Sequence, residues 1–268
     1  MADTIRLAVS NIAWTKAEDE TVYAAMQAAG FTGLELAPTR IFPDRPYEQL
    51  TPAMLFGGYL KNRWGFAVPS LQSIWYGQTG SIFDPEEGSR LLDYTEQAFQ
   101  FAHLLHCPSL VFGCPRNRSV PAGLDPAEAA ARADEFFDKA GRLAARYGVV
   151  LALEANAPRY TNFLNRTADV FALVKRLNNP GLAVNLDLGA LIENGERLRD
   201  FIPDLGWVSH IHISEPGLAP VTRRPEHTEL ALLLKAVGYK GFVSIEMANP
   251  GAAAPVLEAI RTVAEVFA

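Results

Sequence analysis

The chain holds only two cysteines, Cys107 and Cys114, in 268 residues. Neither a disulfide framework nor a Cys-x-x-Cys metal or redox site can be built from that pair, so both read as reduced packing residues. Long apolar runs are missing too. No stretch approaches the ~18 to 20 residues that a bilayer-spanning helix needs, and the opening MADTIRLAVS has no basic region followed by an apolar one. These absences predict a soluble, cytoplasmic protein with no membrane partner. Excess positive charge is also lacking: 24 Lys+Arg stand against 30 Asp+Glu, a formal net charge of -6, which argues against a nucleic-acid footprint. No low-complexity segment or Pro/Gly/Ser linker interrupts the chain, and with 49% hydrophobic and 20% charged residues it can bury a full core. One domain over residues 1–268 is expected, since α/β barrels of this length routinely form single domains.

What the sequence does have is alternation. Strand-like runs at 5–11, 33–37, 66–72, 109–114, 149–156, 182–188, 207–214 and 242–247 are separated by helix-like runs, a pattern that predicts parallel strands with crossover helices and, at eight repeats, a closed (β/α)8 TIM barrel. Asp84-Pro85-Glu86-Glu87 and Asp125-Pro126-Ala127-Glu128 each offer an acidic N-cap with proline at the first helical position. Gly30, Gly148 and Gly238 suit left-handed helix ends. Gly195 and Pro203 make the sixth helix the hardest to place.

Four of the strands end on a residue that binds a hard or borderline cation: Glu154 in VVLALEAN, Asp187 in LAVNLDLG, His212 in VSHIHISE and Glu246 in FVSIEMAN. They recur about 25 to 35 residues apart, near the spacing of successive βα units when ~250 residues are shared among eight of them. Period-two alternation puts Asn185 with Asp187 on one face, Glu154 with Asn156 on another strand's face, and His210 with His212 on a third. Side by side, the four strand ends converge on one point at the C-terminal mouth, where barrel enzymes keep their active sites. Three carboxylates and one imidazole favour Mn²⁺ first, with Mg²⁺ or Co²⁺ next, over a closed structural zinc site. Of the remaining histidines, His210 reads as a hydrogen-bonded core residue one layer deeper, His103 and His106 as structural, and His227 as solvated near a helix start.

The segments FGCPRNR (112–118), EANAPRYTNFLNR (154–166), NLDLGAL (185–191), HIHISEPGLAPV (210–221) and GYKGFVSIEM (238–247) resemble the sugar isomerase/epimerase group of xylose isomerase-like TIM barrels. That group includes ketose 3-epimerases, hydroxypyruvate isomerases and inosose dehydratases. The resemblance covers strands four to eight, roughly the last 160 residues, and the first hundred only through the alternation of elements. It implies metal ligation by Glu154, Asp187, His212 and Glu246, a small carbohydrate substrate and a homodimer. Three positions depart from the group's pattern: Ala190 stands where many epimerases have a substrate-touching His, Leu218 where many have Arg, and Tyr160 where a Glu is common. A ketohexose specificity therefore does not transfer.

Candidates for rebuilding the substrate clamp are Arg116 and Asn117 after strand four, Asn156 beside Glu154, Glu215 beside the metal His, and Gln72 with Trp75 after strand three. The expected chemistry is proton abstraction next to a carbonyl, with Glu154 and Glu246 as the proton-moving pair and a metal-stabilised enediolate between them. Return of the proton to the opposite face of the same carbon is epimerisation, and return to the adjacent carbon is isomerisation. Loss of a β-substituent would make the same site a carbon-oxygen lyase. A non-catalytic sugar-binding or partner subunit with a degenerate site is the reading from another class.

Overall fold

The computed structural model of the protein describes residues 5–268; residues 1–4, where the N-terminal and single-domain readings begin, lie outside the described residues. In chain order the elements are β1 (Arg6–Ser10), α1 (Asp19–Ala28), β2 (Gly33–Glu35), α2 (Pro38–Ile41), α3 (Leu50–Tyr59), β3 (Ser70–Leu71), α4 (Pro85–Leu104) and β4 (Ser109–Phe112). They continue as α5 (Pro126–Arg146), β5 (Val150–Leu153), α6 (Thr167–Leu177), β6 (Leu182–Asp187), α7 (Leu188–Asn194), β7 (Val208–Ile213), α8 (Pro225–Val237), β8 (Phe242–Ile245) and α9 (Ala253–Phe267). All strand pairings are parallel, in the order β2-β1-β8-β7-β6-β5-β4-β3.

Closure between β2 and β3 is thinner than elsewhere. Leu34 N–H donates to Ala67 O at 2.9 Å, Leu36 N–H to Ser70 O at 3.1 Å and Gln72 N–H to Leu36 O at 2.9 Å. The third strand is expected over 66–72 but is regular only at Ser70–Leu71, with an isolated bridge at Ala67. Pro69 explains the difference: it lies between the two paired segments and has no N–H to give the ladder.

Parallel strands covered on both faces read as continuous apolar runs. β6 is buried at all six positions, its Leu182, Val184 and Leu186 alternating with Ala183, Asn185 and Asp187. The helices form the outer layer. α5 turns Ala129, Ala133, Phe136, Phe137, Ala140 and Ala144 inward, and the Asp84 and Asp125 side chains each accept two backbone N–H groups at the starts of α4 and α5. Gly30, Gly148 and Gly238 all take positive φ at helix ends. The uncertain sixth helix is the short α7: Gly195 ends it at φ +63, and Pro203 falls in a following 3-10 segment, Ile202–Trp207.

One irregularity in the sheet bears directly on function. Val184 pairs with Val208, but Asn185 pairs with His210 and Asp187 with His212, so β7 carries one extra residue, Ser209, opposite that step. Such a bulge re-aims everything beyond it. Without it, alternation would turn His210 and His212 away from the face that Asn185 and Asp187 share. His227, expected to be solvated, is instead fully buried, with no hydrogen-bond partner for either ring nitrogen among the described residues.

Candidate metal centre

Side chains from four adjacent strands meet at the C-terminal mouth of the barrel. Glu154, Asp187, His212 and Glu246 each offer a ligand atom, and these atoms lie within 4.8 Å of one another. Each is buried: His212 completely, the three acids with less than a tenth of their surface exposed. His212 Nδ1 lies 3.2 Å from Glu154 Oε2 and 3.2 Å from Glu246 Oε2.

Two of the acids, Asp187 and Glu154, are held by hydrogen-bond donors. Asp187 caps α7: its Oδ1 accepts the Ala190 N–H at 3.0 Å and the Ser214 hydroxyl at 2.5 Å. Gly189 makes that cap possible, because a Cβ at this position would meet Ser214 Oγ at 2.3 Å. Glu154 is gripped by two amides, Asn156 Nδ2 donating to Oε1 at 3.0 Å and Asn185 Nδ2 to Oε2 at 2.6 Å. Behind Asn156 stands Arg118. It is fully buried, donates to Asn156 Oδ1 at 3.0 Å, and has no partner for Nε or the other terminal nitrogen among the described residues. Burial lowers its pKa to about 10, while the nearby Glu154 carboxylate pulls the other way.

Crowding shows in the proton affinities. Burial, and then the Glu154 carboxylate, push Asp187 up to about 6. Burial also pushes Glu246 up to about 7, with Glu154 and Asp187 adding to the shift and His212 opposing it. His212 itself sits well above the ordinary histidine range: burial works against its charge, but Glu35 and Glu246 outweigh that penalty. Repulsion of this kind is what a bound cation relieves. An oxygen-rich set with one imidazole suits Mn²⁺, Mg²⁺ or Co²⁺, so the residues present fit a divalent ion.

Beneath the four lies a group that pattern reading overlooked. Glu35, at the end of β2, is fully buried, and its Oε2 lies 3.0 Å from His212 Nε2, 2.9 Å from His210 Nε2 and 2.5 Å from Ser70 Oγ. His210 also meets Ser244 Oγ at 2.9 Å, which places it one layer below the cluster. A signal for Glu35 was present, since it is an acid between leucines in a strand buried at every position.

Above the acids opens a cavity of about 270 Å³, with Glu154, Asp187 and Glu246 in its wall. Of the expected substrate contacts, Gln72, Asn156 and Glu215 line it; Arg116, Asn117 and Trp75 do not. Glu215 is already occupied: Arg224 Nε donates to it at 2.6 Å, and Thr222 supplies a backbone N–H and a hydroxyl. Three expectations are corrected. Cys114, at φ +39, feeds a 3-10 turn that leaves Arg116 exposed and buries Arg118. Asn117 spends its amide on the carbonyls of Gln78 and Gly80, bracing a loop. Trp75 packs into the core, its ring edge-on to Phe112 and its N–H on Thr95 Oγ1 at 2.9 Å. Ala190, Leu218 and Tyr160 all line the cavity, beside a rim ion pair between Arg159 and Glu193.

Comparison with known proteins gives a consistent picture. The family model for the xylose isomerase-like TIM barrel matches residues 23–267. Two curated proteins that carry the provisional name hydroxypyruvate isomerase are similar to this chain. The one from Streptomyces coelicolor is 32% identical over 246 residues, covering 85% of this chain and 84% of its own length. The human one is 26% identical over 251 residues, covering 88% and 87%. Among solved structures, a 3-keto-D-glucoside 4-epimerase from E. coli superposes with a TM-score of 0.77 at 18% identity, over 98% of each chain. A D-psicose 3-epimerase from Clostridium cellulolyticum superposes with a TM-score of 0.75 at 14% identity, over 98% of this chain and 96% of its own. At those identities the structural likeness establishes the fold.

The Arg118–Asn156–Glu154 chain generates a prediction. Asn156→Ala leaves the buried guanidinium without its acceptor and should lower stability by about 2 kcal/mol, the range for a hydrogen bond to a charged group. Urea unfolding of the metal-free protein measures this; a variant as stable as the parent would show that Arg118 finds another partner at no cost.

Proposed function

The chain belongs to the xylose isomerase-like TIM barrel family, and from that premise we propose that it is a divalent-metal-dependent isomerase or epimerase of a small hydroxy-carbonyl compound: a sugar, sugar acid or cyclitol. The observation that carries this reading is the convergence of four ligand-capable atoms within 4.8 Å at the floor of the barrel-mouth cavity. Glu154, Asp187, His212 and Glu246 would hold the ion. When bound, a divalent cation supplies Lewis-acid stabilisation of the negative charge that develops as a proton leaves carbon next to a carbonyl.

The remaining work falls to the chain's own groups. Glu154 and Glu246 arrive from β5 and β8, so a substrate lying over the cluster has a carboxylate on either side. One takes the α-proton at a carboxylate oxygen, and the other returns it. Amide donation from Asn156 and Asn185 orients the Glu154 carboxylate. The cavity wall limits substrate size.

The substrate reading follows from the wall. Ala190 and Leu218 place no polar group at two positions of that wall, which favours a substrate smaller than a ketohexose. The curated relatives are named for hydroxypyruvate, a three-carbon hydroxy-keto acid, and that class is the first choice here. Its isomerisation moves one carbon-bound proton from C3 to C2 through a shared enediolate and one hydroxyl proton from the C3 oxygen to the C2 oxygen, converting the ketone and primary alcohol into an aldehyde and secondary alcohol with no net change in composition.

Proton NMR in D₂O tests the reading. Manganese-loaded protein incubated with hydroxypyruvate should place deuterium next to the carbonyl and generate an aldehyde signal. Glu246→Gln, folded by circular dichroism, should lose at least about 10²-fold of that rate, the lower bound for removing a positioned acid or base. Wild-type turnover in the variant would remove Glu246 from the proton path. No metal-dependent exchange with hydroxypyruvate, sugars, sugar acids or cyclitols would overturn the function.

A pH dependence also follows. The ion must displace the protons that Asp187 holds near 6 and Glu246 near 7, because carboxylates bind cations in their ionised form. Affinity for Mn²⁺ should therefore fall as the pH drops through 7 and then 6, and keep rising above 7 because His212 must also give up a proton held well above the ordinary histidine range, with protons released on binding. Isothermal titration at several pH values reads this directly; an affinity that stays flat down to about pH 5.5 would contradict it.

A further inference from the structure

His212 has two ring nitrogens facing opposite ways, and only one serves the cavity. Nδ1 faces Glu154 and Glu246, at 3.2 Å from each. Nε2 points down into the barrel, to Glu35 Oε2 at 3.0 Å. Glu35 is fully buried and absent from the cavity wall, so it meets no substrate there. The ion-pair contacts it makes are to His210 and His212; no Lys or Arg reaches it among the described residues. A carboxylate sealed this deep is costly unless its neighbours use the charge. Here the neighbours are imidazoles and hydroxyls: Ser70 Oγ donates to Oε2 at 2.5 Å, and His210, held by Ser70 at 3.0 Å and Ser244 at 2.9 Å, closes the other side.

We infer that Glu35 is a positioning residue for the candidate metal centre: by accepting the Nε2–H of His212, it fixes the tautomer and ring plane that leave the Nδ1 lone pair facing Glu154, Asp187 and Glu246. The inference rests on the metal-dependent reading proposed above. Its physical content is twofold. An N–H anchored on a carboxylate cannot migrate to Nδ1, so the ring is presented in one form. Negative charge behind the ring also makes the imidazole a stronger donor, as when a carboxylate backs a metal-bound histidine. Ser70, His210 and Ser244 in turn hold Glu35 still, so the hydrogen bonds run from β2 and β3 through β7 to β8 below the cluster.

Because Glu35, His210 and His212 themselves converge within 4.8 Å, the competing role for Glu35 is direct ligation of a second ion, and the test separates the two. Isothermal titration of the full chain with Mn²⁺ should give one ion per chain. Glu35→Gln keeps the side chain's volume and removes its charge, and should weaken that binding by about 10- to 100-fold, with the metal-free variant retaining the parent's circular dichroism. Equal affinity in the folded variant would overturn the inference while leaving the metal centre intact. Two ions per wild-type chain would overturn it by making Glu35 a ligand. A wild type that takes up no divalent ion would overturn both this inference and the function on which it rests. Should Glu35→Gln fail to fold, nitrogen-15 histidine spectra of the Mg²⁺-loaded wild type decide the matter: His212 should carry its proton on Nε2, and a proton on Nδ1 would overturn the inference.

Discussion

Mutual repulsion among three buried acids is the constraint that organises this molecule. Glu154, Asp187 and Glu246 offer oxygens within 4.8 Å of one another, in a place where water reaches them only through the cavity. Charges at such spacing repel by several kcal/mol per pair even at an effective dielectric of about 20. A fold that merely tolerated them would relax by turning one acid outward. Here backbone geometry prevents it: Asp187 caps α7, Glu154 is gripped by two amides, and Glu246 follows directly on β8. The protein therefore holds the acids close and leaves their repulsion to be answered by protons at low pH, or by a cation at higher pH.

The same constraint explains the polar core below the cavity. An eight-stranded barrel fills its interior with side chains, and this one places Glu35, Ser70, His210 and Ser244 beneath the cluster, each buried and hydrogen-bonded. Their role follows from His212, which joins the upper acids to the lower one through opposite edges of a single ring. The bulge at Ser209 is what gives both histidines of β7 their inward aim. Local backbone irregularity, long-range hydrogen bonding and the geometry of the cavity floor are thus one arrangement.

Much of this was legible in the sequence because it depends on short periods. Strand ends, N-caps and left-handed glycines are local features, and parallel alignment of strands by their apolar pattern brings Glu154, Asp187 and Glu246 together, while His212 joins them through the bulge at Ser209. The first strand-end acid escaped notice for a physical reason: Glu35 meets His212 across 177 residues of sequence, and no periodicity encodes that pairing. The loop after β4 was misread by two positions, because the positive φ at Cys114 and the turn after it decide whether Arg116 or Arg118 points inward. Trp75 is a candidate for the substrate clamp by sequence because an aromatic after a strand can serve either the mouth or the core, and its bond to Thr95 on α4 draws it into the core. The substitutions at Ala190, Leu218 and Tyr160 were legible as departures, and all three do border the cavity.

The central claim is that the strand-end cluster is a cation site. Anomalous diffraction at the manganese edge, from crystals of the protein grown with Mn²⁺ near pH 7.5, tests it most directly. The account predicts one strong peak at bonding distance from Glu154, Asp187, His212 Nδ1 and Glu246, with Glu35 outside that distance. A crystal with manganese elsewhere, or with His212 Nδ1 still paired to Glu154 and Glu246, would contradict it.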